Sequence, residues 1–280
     1  MSDRLVTPRS ASRVTGLVRI APAPEIADLV EQHWIVTWAA GRMAIRREVL
    51  PDPCVNLSVE PAGRLLYGVG AARSVRELKG RGMVIATKFR PGGFSGLLPG
   101  PVSELTGRVL TLPEAFGAPG ERLDAALAAA EDVAAVIAEV TRFLRTQRPE
   151  PDPERRLAID IAEAMRTAAP GTKVAQIAAR FAVSTRTLQR LFAKHIGATP
   201  KQVLQRVRRQ QAVDRLSEPT GASLAELAAE LGYADQSHLA RDLRNTLGRG
   251  PSHLAGRTAR GGQRVGRLTR LRSETQRGPL

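Results

Sequence analysis

Residues Thr172 to Gly197 read TKVAQIAARFAVSTRTLQRLFAKHIG. Val174, Ile177, Ala178 and Phe181 recur at helical spacing and predict one short amphipathic helix. Ala182 and Val183 make a turn. Ser184 suits the cap of a second helix, because its hydroxyl can accept a hydrogen bond from a free N–H of the first turn. On that second helix Leu188, Leu191 and Phe192 face inward. Arg186, Gln189 and Arg190 take another side, at i, i+3 and i+4. That outward trio has major-groove chemistry: Arg pairs bidentately with guanine O6 and N7, and Gln with adenine N6 and N7. Taken alone it also describes a solvated helix face. The tight turn and the serine cap favour the DNA reading. Ser184 and Thr185, at the helix start, are candidates for phosphate contacts, which set register without reading sequence.

The pattern recurs from Ser223 to Gly248, SLAELAAELGYADQSHLARDLRNTLG. Ser223 with Glu226 three residues on predicts a capping box. Leu224, Leu227, Ala228 and Leu231 form an apolar face, and Gly232 suits a left-handed helix terminus. Asp235 can cap the next helix, where Leu239, Leu243 and Leu247 face inward. Gln236, Ser237, His238 and Arg241 are then the outward, base-facing candidates, and Arg244 is a phosphate candidate. Between the units, PKQVLQRVRRQQAVDRLS (200–217) predicts a long basic helix with Pro200 in its first turn. Val203, Leu204, Val207 and Leu216 pack it, leaving Arg206, Arg208 and Arg209 for phosphates. Two recognition helices on one face of a duplex should sit about 34 Å apart, one helical turn.

Charge agrees. The 280 residues carry a net +15, which points to an anionic partner. Met1 to Pro151 holds 19 Lys and Arg against 16 Asp and Glu; Asp152 to Leu280 holds 23 against 11. A basic C-terminal half thus follows a near-neutral one, and the length suffices for two domains with separate cores. The lone cysteine, Cys54, excludes an intramolecular disulfide, fits a reducing cytoplasm and reads as a small buried hydrophobe. No uncharged apolar stretch reaches about 18 residues and no signal-peptide core opens the chain, so no membrane partner and a cytoplasmic location are expected.

The N-terminal half changes texture several times. Residues 1 to 20 read as polar, basic and poorly ordered, and Glu25 to Gln32 as one short helix. From His33 to Phe89, alternation predicts short antiparallel strands. Trp34, Val36 and Trp38 form one alternating set, and Val55, Leu57 and Val59 another. The runs 65–69, 74–78 and 83–89 continue the series, and Arg90-Pro-Gly-Gly93 closes it as a turn. Trp34, Trp38, Tyr67 and Phe89 either line a ligand cavity in a barrel-like fold or fill the core, and core filling is favoured for most. The Ala-rich stretch 121–146 predicts one or two helices that cover the sheet or form a dimer seam. Three prolines in QRPEPDPE (147–154) mark a stiff linker.

The C-terminal half closely resembles the DNA-binding domain of the AraC/XylS family of bacterial transcription regulators. The resemblance rests on SxRxLxRxFxxxxGxxP from Ser184 to Pro200 and AxxLGYxDQSHLxRxLRxxxGxxP from Ala228 to Pro251. It implies two helix-turn-helix units on one chain, mostly in activators, with the seven outward residues named above facing bases. Leu243 departs from it, since the family usually carries an aromatic there; this should be a tolerated core swap. LPDPCVNLSVE (50–60) and KFRPGGFSGLLPGPVSELTGRV (88–109) resemble a poorly characterised sensor-type domain found before this DNA-binding domain.

The expectation is therefore an α+β protein. A β-rich sensor-like domain (1–118) leads to a helical segment (119–147), a Pro-rich linker (148–154), an all-α double helix-turn-helix domain (155–256) and an Arg-rich, disordered tail (257–280). Expected partners are double-stranded DNA and RNA polymerase, with a small-molecule effector and a homodimer as further candidates. No cofactor, metal site or enzyme activity is expected. His33, His195, His238 and His253 are scattered outside any metal-ligand spacing, and His195 reads as structural on the inner side of its helix. Phosphate-loop, nucleophile-elbow and dinucleotide motifs are missing from the sequence.

Overall fold

The computed structural model describes residues 13–40, 44–49, 53–70, 74–216 and 223–247. The N-terminal half contains strands β1 (Arg13–Ile20), β2 (Val30–Ala39), β3 (Ile45–Val49), β4 (Asn56–Glu60), β5 (Gly63–Tyr67), β6 (Ser74–Leu78), β7 (Arg81–Phe89) and β8 (Val109–Thr111). Six of them form an antiparallel sheet in the order β1-β2-β7-β4-β5-β8, and β3 pairs with β6 in a separate ribbon. The mainly β half expected from alternation is thus present, followed by a helical half.

Helices α1 (Leu112–Phe116), α2 (Ala118–Ala129) and α3 (Val133–Thr146) follow the sheet. The stretch 121–146 is two helices, and α3 buries Val136, Val140, Phe143 and Leu144 in the core below β7. Its apolar face is therefore spent on its own sheet. Arg64 of β5 grips Asp124 of α2 through two hydrogen bonds of 2.7 and 2.8 Å, holding the Asp124 carboxyl below its ordinary range.

Three local expectations are corrected. Residues 13–20 are a strand, paired with β2 along its length. Its pairing is carried by backbone hydrogen bonds, so no burial pattern marks it: Leu17 and Val18 are 50% and 56% exposed. Glu25–Gln32 is only a 3₁₀ turn, Pro24–Ile26, before β2 starts at Val30. On β2, His33 and Ile35 are the buried neighbours within the alternating stretch, while Trp34 and Val36 are half-buried on the opposite face. Both faces of β2 are partly covered, so either parity of the alternation looks apolar. Of the four aromatics, Phe89 and Trp38 are buried, and Trp34 and Tyr67 are half-buried. Cys54 is buried, as expected.

The C-terminal half comprises α4 (Pro153–Arg166), α5 (Val174–Arg180), α6 (Thr185–His195), α7 (Pro200–Leu216), α8 (Leu224–Glu230) and α9 (Gln236–Leu247). Although the length would allow separate cores, the two halves share one. One apolar cluster runs from Ile26 through the sheet and α3 into Ile161, Met165, Leu188, Leu191, Phe192 and Leu204. A second, smaller cluster holds Ala212, Leu227, Leu231, Tyr233, Leu239 and Leu243. The physical reason is the loop after β7. Gly92 lies against Ile159 and Ile196, and Val102 against Gly197, so the loop's apolar side fills the back of the first helix-turn-helix unit. Gly197 has φ +80, and a Cβ there would stand 2.8 Å from Val102; glycine is what admits this approach. The expected tail (257–280), Leu247's inward side chain and His253 lie outside the residues or side chains described.

Candidate nucleic-acid interface

The two helix-turn-helix units share one turn. In the first, Ala182 N–H bonds Ala179 O at 3.1 Å and Val183 N–H bonds Ala178 O at 3.0 Å. In the second, Gly232 N–H bonds Ala229 O at 3.1 Å and Tyr233 N–H bonds Ala228 O at 2.9 Å. These paired bonds close the first helix of each unit on a left-handed residue. That residue is Gly232 (φ +73) in one unit and Ala182 (φ +52) in the other. The caps are those expected. Ser184 Oγ accepts from Thr187 N–H at 3.0 Å, Ser223 and Glu226 form a reciprocal box, and Asp235 accepts from His238 N–H at 2.7 Å. The Ser223 bonds hold the Glu226 carboxyl below its ordinary range.

Leu188, Leu191 and Phe192 on α6, and Leu239 and Leu243 on α9, are fully or almost fully buried. That burial turns the opposite faces outward. Arg186, Gln189 and Arg190 are exposed together on α6, and Gln236, Ser237, His238 and Arg241 on α9. His238 stands edge-on to Tyr233, with ring centroids 5.3 Å apart.

The phosphate candidates divide. Thr185 and Arg244 are exposed, and Ser184 is exposed with its hydroxyl engaged in the cap. Arg206, Arg208 and Arg209 are half-buried. Arg209 lies 3.5 Å from Asp242 of α9, and Arg208 donates to Gly232 O at 3.4 Å while stacking over Tyr233. These two arginines tie α7 to the second unit. Tyr233 donates to Asp242 at 2.7 Å, and burial pushes its hydroxyl pKa up. Gln211 of α7 donates to Ala168 O at 3.0 Å, so the same helix also reaches back to the first unit.

Behind α6 the sheet domain is in direct contact. His195 is 1% exposed and its Nδ1 lies 2.7 Å from Ser95 Oγ. Burial pushes its pKa down, and its burial against Ser95 fits the structural role expected of it. Thr106 donates to Gly197 O at 2.7 Å. On the outer side Glu154 bonds Arg190 and Lys194 at 2.7 and 2.8 Å. The expected linker (148–154) ends earlier than its prolines suggest, because Pro153 and Glu154 already form the first turn of α4 on the Asp152 cap.

Residues 161–257 match a family described as a helix-turn-helix domain, and residues 18–111 match a domain of unknown function, DUF6597. The DNA-binding domain of AdpA, a global transcriptional factor solved with a target DNA, is 30% identical. The match covers 39% of this chain and 96% of that one, with a TM-score of 0.31. A transcriptional regulator of Chromobacterium violaceum with an AraC-type DNA-binding domain is 22% identical over 40% of this chain and 100% of that one, with a TM-score of 0.35.

Residues 161–257 therefore form a helix-turn-helix domain of the AraC type.

ToxT of Vibrio cholerae, 9% identical over 88% of this chain and 98% of that one, has a TM-score of 0.37. No curated protein matches the chain. For an AraC-type regulator DNA is the partner, and the outward faces of α6 and α9 are the polar surfaces that the two units' turns and caps build. Among the described residues no helix is long and apolar enough to cross a membrane, and no group of three or more His, Cys, Asp or Glu is placed to hold a metal ion.

Proposed function

We propose that this regulator reads two adjacent major-groove segments with two recognition helices and activates transcription by recruiting RNA polymerase. Helix α6 reads through Arg186, Gln189 and Arg190. Helix α9 reads through Gln236, Ser237, His238 and Arg241. Thr185, Ser184, Arg244 and the arginines of α7 take phosphates, with Arg208 and Arg209 restricted by their bonds to the second unit. The observation that carries the reading is the duplicated turn: both units close on the same paired backbone bonds and turn an exposed hydrogen-bonding face outward. A single chain then reads a site of two half-segments.

The N-terminal domain is the input. A small-molecule effector or a second copy of the chain changes its conformation, and the shared core passes that change to α6. The test is binding by Arg190→Ala to a pool of duplexes selected from random sequence. Affinity for the preferred site should fall about five- to a hundredfold and one base position should relax. Equal loss on every sequence would sink the base-reading role. Mapping bound sites across the genome, with transcription measured in a deletion strain, tests activation; target genes that rise on deletion would contradict it.

A further inference from the structure

Glu154 belongs to neither recognition helix, yet its side chain ends on the outer face of the first. It sits in the first turn of α4, where Asp152 accepts from Glu154 N–H at 2.8 Å and from Arg155 N–H at 3.3 Å. The start of α4 is also fastened to the sheet domain, because Arg155 Nη1 donates to Ser95 O at 3.0 Å. From this fixed base the carboxylate crosses to α6. Oε1 is 2.7 Å from Arg190 Nη2, and Oε2 is 3.3 Å from Arg190 Nη1. Oε2 also lies 2.8 Å from Lys194 Nζ, and Asp152 approaches the same ammonium at 3.9 Å.

Two acceptors on the two terminal nitrogens of a guanidinium is also the arrangement that guanine O6 and N7 would present. The carboxylate and a guanine edge therefore compete for one fork. The Arg190 and Lys194 bonds hold the Glu154 carboxyl down at about 2, so it is ionised at any pH at which the protein would meet DNA. Two cations of α6 are matched by two carboxylates at the start of α4, and that end of the recognition helix offers little free positive charge.

We propose that Glu154 is a specificity-determining residue of the first recognition helix, holding Arg190 and Lys194 off non-matching DNA and releasing Arg190 only to a guanine edge. This rests on the reading of Arg190 as base-facing. In a non-matching register no guanine edge faces Arg190, and a phosphate must displace the existing two-point contact while the carboxylate repels it. A matching site offers a second two-point contact in exchange. Lys194 stays on Glu154 when Arg190 leaves, so the carboxylate is not stranded without a partner.

The experiment uses the full chain, the selected preferred duplex and a scrambled duplex, titrated across salt. Glu154→Gln should raise affinity for the scrambled duplex about three- to tenfold and steepen its log K against log salt by about 1 to 2, as one or two freed cations reach phosphates. Affinity for the preferred duplex should move less, so the specificity ratio falls. Glu154→Asp, which keeps the charge, should fall between Gln and the parent. An unchanged ratio and salt slope in Glu154→Gln, with an unaltered melting temperature, would reduce Glu154 to a structural tie and overturn the proposal. Arg190→Ala separates the two failures. If it relaxes a base position while Glu154→Gln leaves the ratio intact, only the Glu154 proposal falls. If it weakens all duplexes alike, the base-reading role of Arg190 falls and takes the proposal with it.

Discussion

The first and second helix-turn-helix units are copies in their turns and opposites in their support. Both close on the same backbone bonds and begin their second helices on a side-chain cap. The first is backed by the sheet domain through a cluster that spans most of the chain, and the second by a small cluster of its own with α7. The local code thus makes a helix-turn-helix, while the surface offered to its inner face decides how firmly the unit is held. A unit rooted in a larger core opens only with that core; one on a small cluster can open alone.

The largest expected effect tests that difference directly. Phe192 is fully buried in the shared cluster, and Phe192→Ala should cost about 3–5 kcal/mol by leaving a cavity there. Leu239 is fully buried in the small cluster, and Leu239→Ala should cost about 2–5 kcal/mol. Hydrogen exchange distinguishes their reach. Phe192→Ala should speed exchange in β7, α3 and α6 together, whereas Leu239→Ala should speed it in α8 and α9 alone. Exchange rising in one unit only for both variants would dissolve the comparison.

Acid provides a second, smaller contrast. His33 and His195 are buried in the sheet domain and at its junction with α6, and desolvation pushes both below the ordinary value of 6.5. The unfolded chain binds protons that these neutral imidazoles refuse. Their contribution is therefore complete above the unfolded value and is lost as pH falls through 6.5 towards the folded one. The melting transition of the sheet domain with the first unit should drop as pH is lowered below about 6.5. The second unit, whose histidine His238 is exposed rather than buried, should hold its transition over the same range. Equal shifts in both would show that the histidines do not set the difference.

The smallest effect compares like with like. Ser184→Ala and Ser223→Ala each remove one N-cap, worth about 1 kcal/mol. Chemical denaturation should show the Ser223 loss as earlier melting of α8 and α9. The Ser184 loss should be spread over the larger cooperative unit, with a smaller shift in midpoint. A larger midpoint shift for Ser184→Ala would mean the first unit is the weaker one.

Much of this was legible in the chain because it is local. Ser184, Ser223, Asp235 and Gly232 act on groups within a few residues of themselves, and each was assigned correctly. The inward leucines and Phe192 followed from helical spacing, and the β texture from alternation. What escaped lacked a local period. Strand β1 is held by backbone pairing with Leu17, Val18 and Ile20 exposed, so no alternation marked it. Ser95 and His195 stand 100 residues apart, and Glu154 and Arg190 stand 36 apart, so neither pair has a spacing that periodicity can find.

Local sequence was enough to specify two capped turns, each followed by a helix with an exposed, hydrogen-bonding face, on a basic half. Short-range hydrogen bonds and apolar spacing are enough to specify such units. It took the folded structure to show that the first unit shares its core with the sheet domain, and that a carboxylate at the start of α4 reaches Arg190 of α6. Those outcomes depend on how distant apolar and charged surfaces meet, which is settled by packing.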